Sequence, residues 1–272
     1  MRTNHAFLLP LFFCASIAYA ATTPDPTGGV YVRDSDVAVE KFALAERLER
    51  LGEWGKAADV YQEMLQKQSD RVVASPSDPT RFQSVGTAVQ ERLSRWTGDA
   101  LNVYRERYGP EAQSLLEQSE AEHRADEADD AAGLHRVFSR YFVTDAAKIA
   151  GLRLIDADLE NGEFSAAAWI GQRLLDAHPM LLDDRPRIMF RTALAEHWMG
   201  DDKNAQEKLN ELHQKYPAAL DTVRGIDVVL ADALATELAK SLTAPVASHG
   251  DSWPMPFGSP DQARVPIVNG LA

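Results

Sequence analysis

A short acidic segment contains the side chains of this sequence that come nearest to a metal-binding pattern. Asp156, Asp158 and Glu160 alternate along the chain, as the first ligands of a calcium-binding loop do. Such a loop requires glycine at its sixth position and an acidic residue at its twelfth, where this sequence has Asn161 and Ala167. We therefore interpret the segment as the solvated end of a helix and predict no metal site.

The histidines and serines form no catalytic pattern. No two histidines lie four positions apart, so the HExxH zinc helix is excluded. The sequence also lacks a G-x-S-x-G nucleophile elbow and a G-x-x-x-x-G-K-[ST] phosphate loop. His197, which shares a helix face with Leu194 beside Trp198, is interpreted as a packing residue. We predict no catalytic, cofactor-binding or metal-binding residues, no cofactor, and a protein that is not an enzyme.

The charge balance is acidic. The 272 residues include 28 Lys and Arg against 41 Asp and Glu, which gives a formal net charge of −13. Binding to nucleic acid phosphates requires clustered Lys and Arg, so nucleic acid is excluded as the main partner. The acidic run over 117–130 is interpreted as a solvated face or loop, with attraction of cations or of a basic partner as the alternative.

The N-terminus has the three-part layout of a secretory signal peptide. Arg2 precedes the apolar stretch Ala6–Ile17, and Ala18–Ala20 forms a small-x-small cleavage site. The apolar stretch is shorter than the ~20 residues that span a bilayer. We predict cleavage after Ala20, a periplasmic or secreted bacterial protein, and no membrane span after signal removal. Cleavage would also remove Cys14, the one cysteine, which leaves no thiol for catalysis.

Helical spacing of apolar residues dominates from residue 36 onward, and period-two alternation is nearly absent. The spacing is followed by Phe82, Val85, Val89, Leu93 and Trp96, and again by Leu220, Val223, Leu230, Leu234 and Leu238. The expected helix boundaries are Asp99 and Asp145 as N-terminal caps, Pro110 in a first turn, and Gly52, Gly162 and Gly200 at C-termini.

Three segments repeat one spacing of small residues. A glycine is followed five positions later by alanine, at Gly52 and Ala57, Gly162 and Ala167, and Gly200 and Ala205. In the last two segments a proline, Pro179 or Pro217, lies seventeen positions after the glycine, and their period is 38 residues. Glycine would close a first helix, alanine would allow the two helices to approach closely, and proline would end the second helix. The spacing predicts helical hairpins, with an irregular helical bundle as the alternative.

These hairpins resemble tetratricopeptide repeats over roughly 36–68, 146–180 and 184–217. Trp54 and Phe164 stand where the family has an aromatic residue at the start of the second helix, whereas the third segment has Asp202 there. The resemblance implies an all-α fold of stacked antiparallel helical hairpins, an α-solenoid, with apolar faces buried only between neighbours. We expect Trp54 and Phe164 to pack between helices, and Trp169 to turn partly outward.

A second resemblance concerns the order of motifs along the chain. Tyr104-Arg105, the run Arg140–Phe142, and the tail elements Trp253-Pro254, Phe257-Gly258 and Ala263-Arg264 resemble the helical region that precedes a pyrroloquinoline-quinone-like β-propeller in secreted bacterial proteins. The chain ends at Ala272, before any blade, because a blade needs four strands. Trp253 is expected either to dock on the helical body or to await a partner.

Together these patterns predict five segments and a function in binding. The segments are a signal peptide (1–20), a flexible leader (21–35), an N-terminal helical region with one repeat-like hairpin (36–143), tetratricopeptide-like repeats with a final helix (144–242), and a Pro/Gly-rich non-helical tail resembling a propeller entry segment (243–272). The predicted function is that of a non-catalytic exported scaffold or adaptor for protein–protein interaction, whose partner is a protein or peptide of the bacterial envelope. The alternative is a truncated relative of a quinone-type propeller protein whose cofactor or enzymatic part is missing.

Overall fold

The computed structural model describes residues 35–75, 78–124, 130–223 and 225–240, and this part of the chain is mostly helical. The predicted signal peptide, nearly all of the leader and the Pro/Gly-rich tail lie outside the described residues. The α-helices are α1 (Asp36–Arg50), α2 (Trp54–Lys67), α3 (Val85–Ser94), α4 (Gly98–Arg124), α5 (Asp130–Arg140), α6 (Asp145–Asn161), α7 (Phe164–Ala177), α8 (Arg185–Trp198), α9 (Asp202–Lys215) and α10 (Leu230–Leu238). The strands are β1 (Val72–Ser75), β2 (Asp78–Ser84), β3 (Leu220–Val223) and β4 (Ile226–Val229).

The three predicted glycine turns are confirmed and share one backbone geometry. Gly52, Gly162 and Gly200 follow α1, α6 and α8 with φ of 72°, 77° and 89°, a left-handed conformation that glycine adopts without steric cost. In each turn the next residue donates its backbone N–H to a carbonyl five positions earlier, for example Glu163 to Asp158 at 2.8 Å. The equivalent bonds are 2.9 Å after α1 and 2.8 Å after α8. Each of the three therefore closes a helical hairpin.

Small residues allow the hairpin helices to lie close together. The three alanines of the repeated spacing, Ala57, Ala167 and Ala205, are all fully buried. On the next turn of α7, Gly171 lies so close to α8 that an added Cβ would be 2.0 Å from Oγ1 of Thr192. Because any larger side chain at Gly171 would overlap Thr192, this position determines how closely α7 and α8 approach each other.

The helices contact one another largely in chain order. From α6 to α9 each helix packs against the next, α6 also contacts α8, and α10 packs against α8 and α9. In the preceding part, α1 packs against α2, while α4 contacts α2, α5 and α6. The buried apolar side chains of all these helices form one contiguous cluster.

Two β-hairpins correct the helical prediction for Phe82, Leu220 and Val223. Phe82 lies in β2, which pairs with β1, and its side chain is exposed. Leu220 and Val223 lie in β3, which pairs with β4 so that Val223 faces Ile226 across a turn containing Gly225. These strands have four to seven residues, too few to show alternation clearly. The described fold is therefore mostly helical with two small antiparallel sheets.

Three predicted helix boundaries are also wrong. Asp99 lies in the first turn of α4, which begins at Gly98, and does not precede the helix as its cap. Pro110 lies inside α4 rather than in its first turn, and the helix continues through it although proline cannot donate a backbone hydrogen bond. Asp145 is the first residue of α6, and the cap is Thr144, whose Oγ1 accepts from the Ala147 N–H at 3.3 Å. A hydroxyl or a carboxylate can cap equally well, so adjacent Thr and Asp could not be distinguished by type.

Candidate functional site

The half-buried carboxylate of Glu49 lies where α1, α2 and α3 meet and has several hydrogen-bond partners. Its oxygens accept hydrogen bonds from Tyr61 Oη at 2.7 Å, from Trp96 Nε1 at 3.2 Å, and from Arg92 Nε at 3.0 Å and through Nη2. Burial alone would raise the pKa of Glu49, but these bonds outweigh it and hold the pKa below its usual value. The carboxylate thus serves to join three helices.

A series of ion pairs links α4, α6, α8 and β3. Each pair joins residues from different elements, so the charges hold neighbouring helices in register. The pairs are Arg105 with Asp145, Lys148 with Asp184 at 2.7 Å, Arg191 with Asp156 at 2.6 Å, Arg191 with Asp221 at 2.8 Å, and Arg187 with Asp221 at 3.1 Å. Asp156, from the acidic segment considered as a calcium loop, is therefore paired with a guanidinium.

That acidic segment is helical, as the sequence predicted. Asp156, Asp158 and Glu160 all lie in α6, where they cannot wrap around one cation as a loop does. Among the described residues there is no group of three or more acidic, histidine or cysteine side chains placed to bind a metal ion. Burial raises the pKa of Asp158, whose Oδ2 is enclosed.

The two buried histidines, His178 and His197, contact backbone groups and a carboxylate of neighbouring segments. His178 follows α7, where Nε2 lies 3.2 Å from the Thr144 carbonyl and Nδ1 accepts the Met180 N–H. Burial lowers the pKa of His178 to about 4, so the ring is neutral. His197 Nδ1 lies 2.6 Å from the Asp202 carboxylate, and the ring packs edge-on against Trp198. The prediction that His197 is a packing residue agrees with these contacts, although its Nε2 has no partner among the described residues.

The aromatic residues at the hairpin turns are half-buried and pack against other aromatic rings. Trp54 meets Trp96 edge-on at 5.5 Å, and Phe164 stacks on Trp198 at 6.0 Å. The prediction of interhelical packing for Trp54 and Phe164 is therefore confirmed. Trp169 differs, because 60% of it is exposed.

Trp169 lies beside Arg173, one turn further along α7. The guanidinium carbon of Arg173 is 6.0 Å from the centre of the Trp169 ring and 5.4 Å from that of Phe142, which is buried. Nε and Nη2 of Arg173 donate to Oε1 of Gln90 at 3.0 and 2.6 Å. We call this group the Trp169 ledge. It consists of the exposed Trp169, the half-buried Arg173, and the buried Phe142 and Gln90 that contact Arg173.

The buried side-chain amide of Gln90 fixes the position of Arg173 in the ledge. Gln90 in α3 is only 6% exposed, and its Nε2 donates to the Ser139 carbonyl at 2.6 Å. This bond orients Oε1 toward Arg173, so both the ring and the guanidinium are positioned before any ligand arrives. Burial lowers the pKa of Arg173. The hydrogen bonds of Arg173 do not offset this effect, because they reach a neutral amide and not a carboxylate.

A cleft of about 430 Å³ lies between α4 and the start of α6. It is lined by Asn102, Arg105, Glu106, Pro110 and Asp145, among others. Arg105 and Asp145 already pair with each other across it. Arg105 and Asp145 thus compensate each other's charge, whereas Arg173 forms no ion pair with a carboxylate of the described residues.

The outward position of Trp169 was predicted, but Arg173 and Gln90 were not. Trp169 and Arg173 are four positions apart on one helix, a spacing at which side chains are neighbours, so this pair could have been recognised. Gln90 lies 83 residues before Arg173, and no local pattern connects them.

The described helices include none long and apolar enough to cross a membrane.

Comparison of the chain with protein-family models, with curated proteins and with solved structures found no match. The resemblances to tetratricopeptide repeats and to the helical region of propeller proteins therefore stay predictions.

Proposed function

We propose that this protein is a non-catalytic exported scaffold that binds a protein or peptide partner of the bacterial envelope. In this proposal the helical hairpins pack in series, as tetratricopeptide repeats do, and present the Trp169 ledge to the partner. The observation that carries it is the 60% exposure of Trp169 on a well-packed helix.

The exposure of Trp169 leaves a large apolar surface in water. The opposite face of α7 is buried through Ala167, Ile170 and Leu174, so the helix needs no outward aromatic residue for its own packing. Tryptophan is among the residues that contribute most to the free energy of protein–protein binding, and fully burying an aromatic side chain yields about 1.5–3 kcal/mol. Because 60% of Trp169 is exposed, a partner that covers it would gain the corresponding part of this energy.

The serial arrangement is supported by the contacts between helices. Each helix from α6 to α9 packs on the next, α6 reaches α8, and α10 covers α8 and α9. The three hairpin turns also share one hydrogen-bond pattern. In such an array a rigid row of helices positions surface side chains for binding.

The non-catalytic part of the proposal is supported by the bonding of three ionisable groups that are buried or half-buried. Glu49, His178 and Asp221 each bond to groups of neighbouring elements, and these bonds join parts of the fold. A general acid or base would instead have to reach a reacting atom in a cleft.

The test is capture from envelope extract with the mature chain from Ala21 as bait, comparing the wild type with Trp169→Ala. The matched control is Leu182→Ala, because Leu182 is 79% exposed and lies outside the ledge. We expect a protein that wild type and the control retain and Trp169→Ala loses, and that binds the wild type again when purified. Equal retention by all three baits, or retention of nothing by a folded bait, would contradict the proposal.

A further inference from the structure

The Trp169 ledge contains a cation whose charge is only partly compensated, and this identifies the chemistry of its ligand. The inference rests on the proposed function, because it concerns the same surface. Among the described residues, no carboxylate forms an ion pair with Arg173, and its hydrogen bonds go to the neutral amide of Gln90. By contrast, the guanidinium groups of Arg105, Arg153, Arg187 and Arg191 are each paired with an aspartate or glutamate.

Arg173 keeps hydrogen-bond donors that Gln90 does not use. Nε and Nη2 are occupied by Gln90, whereas Nη1 makes no hydrogen bond within the described part of the chain and is not enclosed there. A guanidinium has five N–H donors in one plane, so Nη1 retains donors after Gln90 is satisfied. The guanidinium carbon that carries Nη1 lies 6.0 Å from the centre of the exposed Trp169 ring.

We propose that the Trp169 ledge binds a protein segment that carries a carboxylate next to an apolar or aromatic side chain. The carboxylate accepts a hydrogen bond from Nη1 of Arg173, and the adjacent side chain covers the ring of Trp169. Charge-assisted hydrogen bonds of this kind are about twice as strong as neutral ones. The aromatic plane gives the segment an apolar contact that a free inorganic anion lacks.

The ledge is preorganised for such a ligand. Gln90 is fixed by the Ser139 carbonyl, and Phe142 supports the guanidinium from the buried side. Because these groups are already ordered, binding costs less side-chain entropy than it would on a mobile surface.

Glu91 is the acidic neighbour that opposes an incoming carboxylate. Its charge offsets part of the lowering of the Arg173 pKa by burial, while its own Oε2 accepts from Gln83 Nε2 at 3.4 Å. Removing this charge should favour a carboxylate ligand and disfavour a cationic one. The sign of the Glu91 effect therefore tests the sign of the ligand charge.

The experiment uses the mature chain labelled with ¹⁵N-tryptophan, whose five indole N–H signals are observed by NMR. Trp169→Phe assigns the Trp169 signal. The probes are the blocked peptides acetyl-Ala-Leu-Phe-Asp-amide and acetyl-Ala-Leu-Phe-Asn-amide, which differ only in the carboxylate. We expect the Trp169 signal to shift with the Asp peptide, and the Asn peptide to bind about tenfold more weakly or worse. Equal affinity for the two peptides, or no shift with either, would overturn the carboxylate proposal.

Peptide binding by substituted proteins tests the carboxylate proposal a second time. Arg173→Gln should abolish the preference for the Asp peptide, Glu91→Gln should strengthen Asp-peptide binding, and Lys203→Gln should change neither. Lys203 is 85% exposed on α9 and serves as the control for loss of one positive charge. If Arg173→Gln unfolds, the wild-type peptide comparison and Glu91→Gln still decide the outcome; weaker Asp-peptide binding by Glu91→Gln would contradict the proposal.

Two further arms separate this inference from the proposed function and from other occupants. Capture that depends on Trp169 without preference for the Asp peptide would leave the scaffold function intact and reject the carboxylate. A preference for the Asp peptide without captured protein would reject the scaffold function and support the ligand chemistry. The chain's own acidic and aromatic run from Asp251 to Trp253 is tested by ending the chain at Lys240: if the Trp169 signal shifts on truncation, that segment is the occupant and an external partner is not.

Discussion

Gly171 of α7 and Thr192 of α8 are in such close contact that a Cβ at position 171 would lie 2.0 Å from the Thr192 Oγ1 and 3.0 Å from its Cβ. Both residues are buried, and the Thr192 hydroxyl donates to the Ile188 carbonyl of its own helix at 2.7 Å. The hydroxyl therefore cannot turn away without losing this bond. The contact brings the second helix of one hairpin against the first helix of the next.

Gly171→Ala should destabilise the fold by about 1–3 kcal/mol, because the added methyl group overpacks this contact. The matched control is Gly109→Ala in α4, where a Cβ meets nothing within 4 Å and alanine should stabilise the helix by up to ~1 kcal/mol. The measurement is the free energy of unfolding in urea.

Combining Gly171→Ala with Thr192→Ala should cost less than the sum of the single changes, because removing Oγ1 and Cγ2 opens the space that the new methyl group needs. Strict additivity would show that the loss has a cause other than this contact.

The repeated hairpin turns could be predicted from the sequence because their cause is local. A glycine that permits positive φ and an alanine five positions later, which packs in the hairpin, lie on one short segment, and the structure confirms both at Gly162 and Ala167. The strand β3 was missed because Leu220 and Val223 are three positions apart, which fits a helix as well as a short twisted strand. Sequence spacing over four residues cannot decide between these two forms.

The polar half of the candidate site could not be predicted for a different reason. Arg173 acquires its role from Gln90 and Phe142, which come from α3 and from the end of α5. Whether an arginine is paired with a carboxylate or with an amide depends on which elements the fold brings together. Motifs along the chain carry no information about such long-range neighbours.

Glu49→Gln should destabilise the fold at neutral pH by about 1–3 kcal/mol, because the amide loses the charge-assisted bonds from Arg92. The pKa of Glu49 is lower in the folded chain than in the unfolded one. Its contribution is therefore full above the unfolded pKa and is lost as the pH falls through the folded pKa. The stability gap between wild type and Glu49→Gln, measured in urea at several pH values, should narrow in acid. A gap that stays constant down to the acid transition would show that the carboxylate charge is not responsible.

His178 should make the fold sensitive to mild acid. Burial lowers its pKa to about 4, whereas the unfolded chain has the ordinary value near 6.5. As the pH falls from 6.5 to 4, His178 is protonated in the unfolded state but stays neutral in the folded state. The free energy of unfolding therefore falls by up to roughly 3 kcal/mol over this window. His178→Gln lacks this proton and should lose less. NMR titration of the His178 ring, assigned by comparison with that variant, measures the folded pKa directly. A midpoint at or above 6.5 would contradict the assignment.

Asp221 should anchor the β3–β4 hairpin to α8, since its carboxylate lies 2.8 Å from Arg191 Nη1 and 3.1 Å from Arg187 Nε and its side chain is only 9% exposed. Asp221→Asn should cost about 1–3 kcal/mol, because it leaves two guanidinium groups without their shared partner. The effect should be local, since amide hydrogen exchange in β3, β4 and the start of α10 should accelerate more than exchange in α6 and α7.

The control for Asp221 lies on the same hairpin. Asp227 is exposed and accepts from the Thr222 hydroxyl at 2.6 Å, and it forms no ion pair with α8 among the described residues. Asp227→Asn removes one negative charge from the same sheet while leaving the anchor in place, so its exchange should match that of the wild type within the hairpin. If both variants accelerate exchange equally, the general charge of the hairpin rather than its bond to Arg187 and Arg191 determines its stability. If only Asp221→Asn does so, the two arginines of α8 hold the hairpin in place.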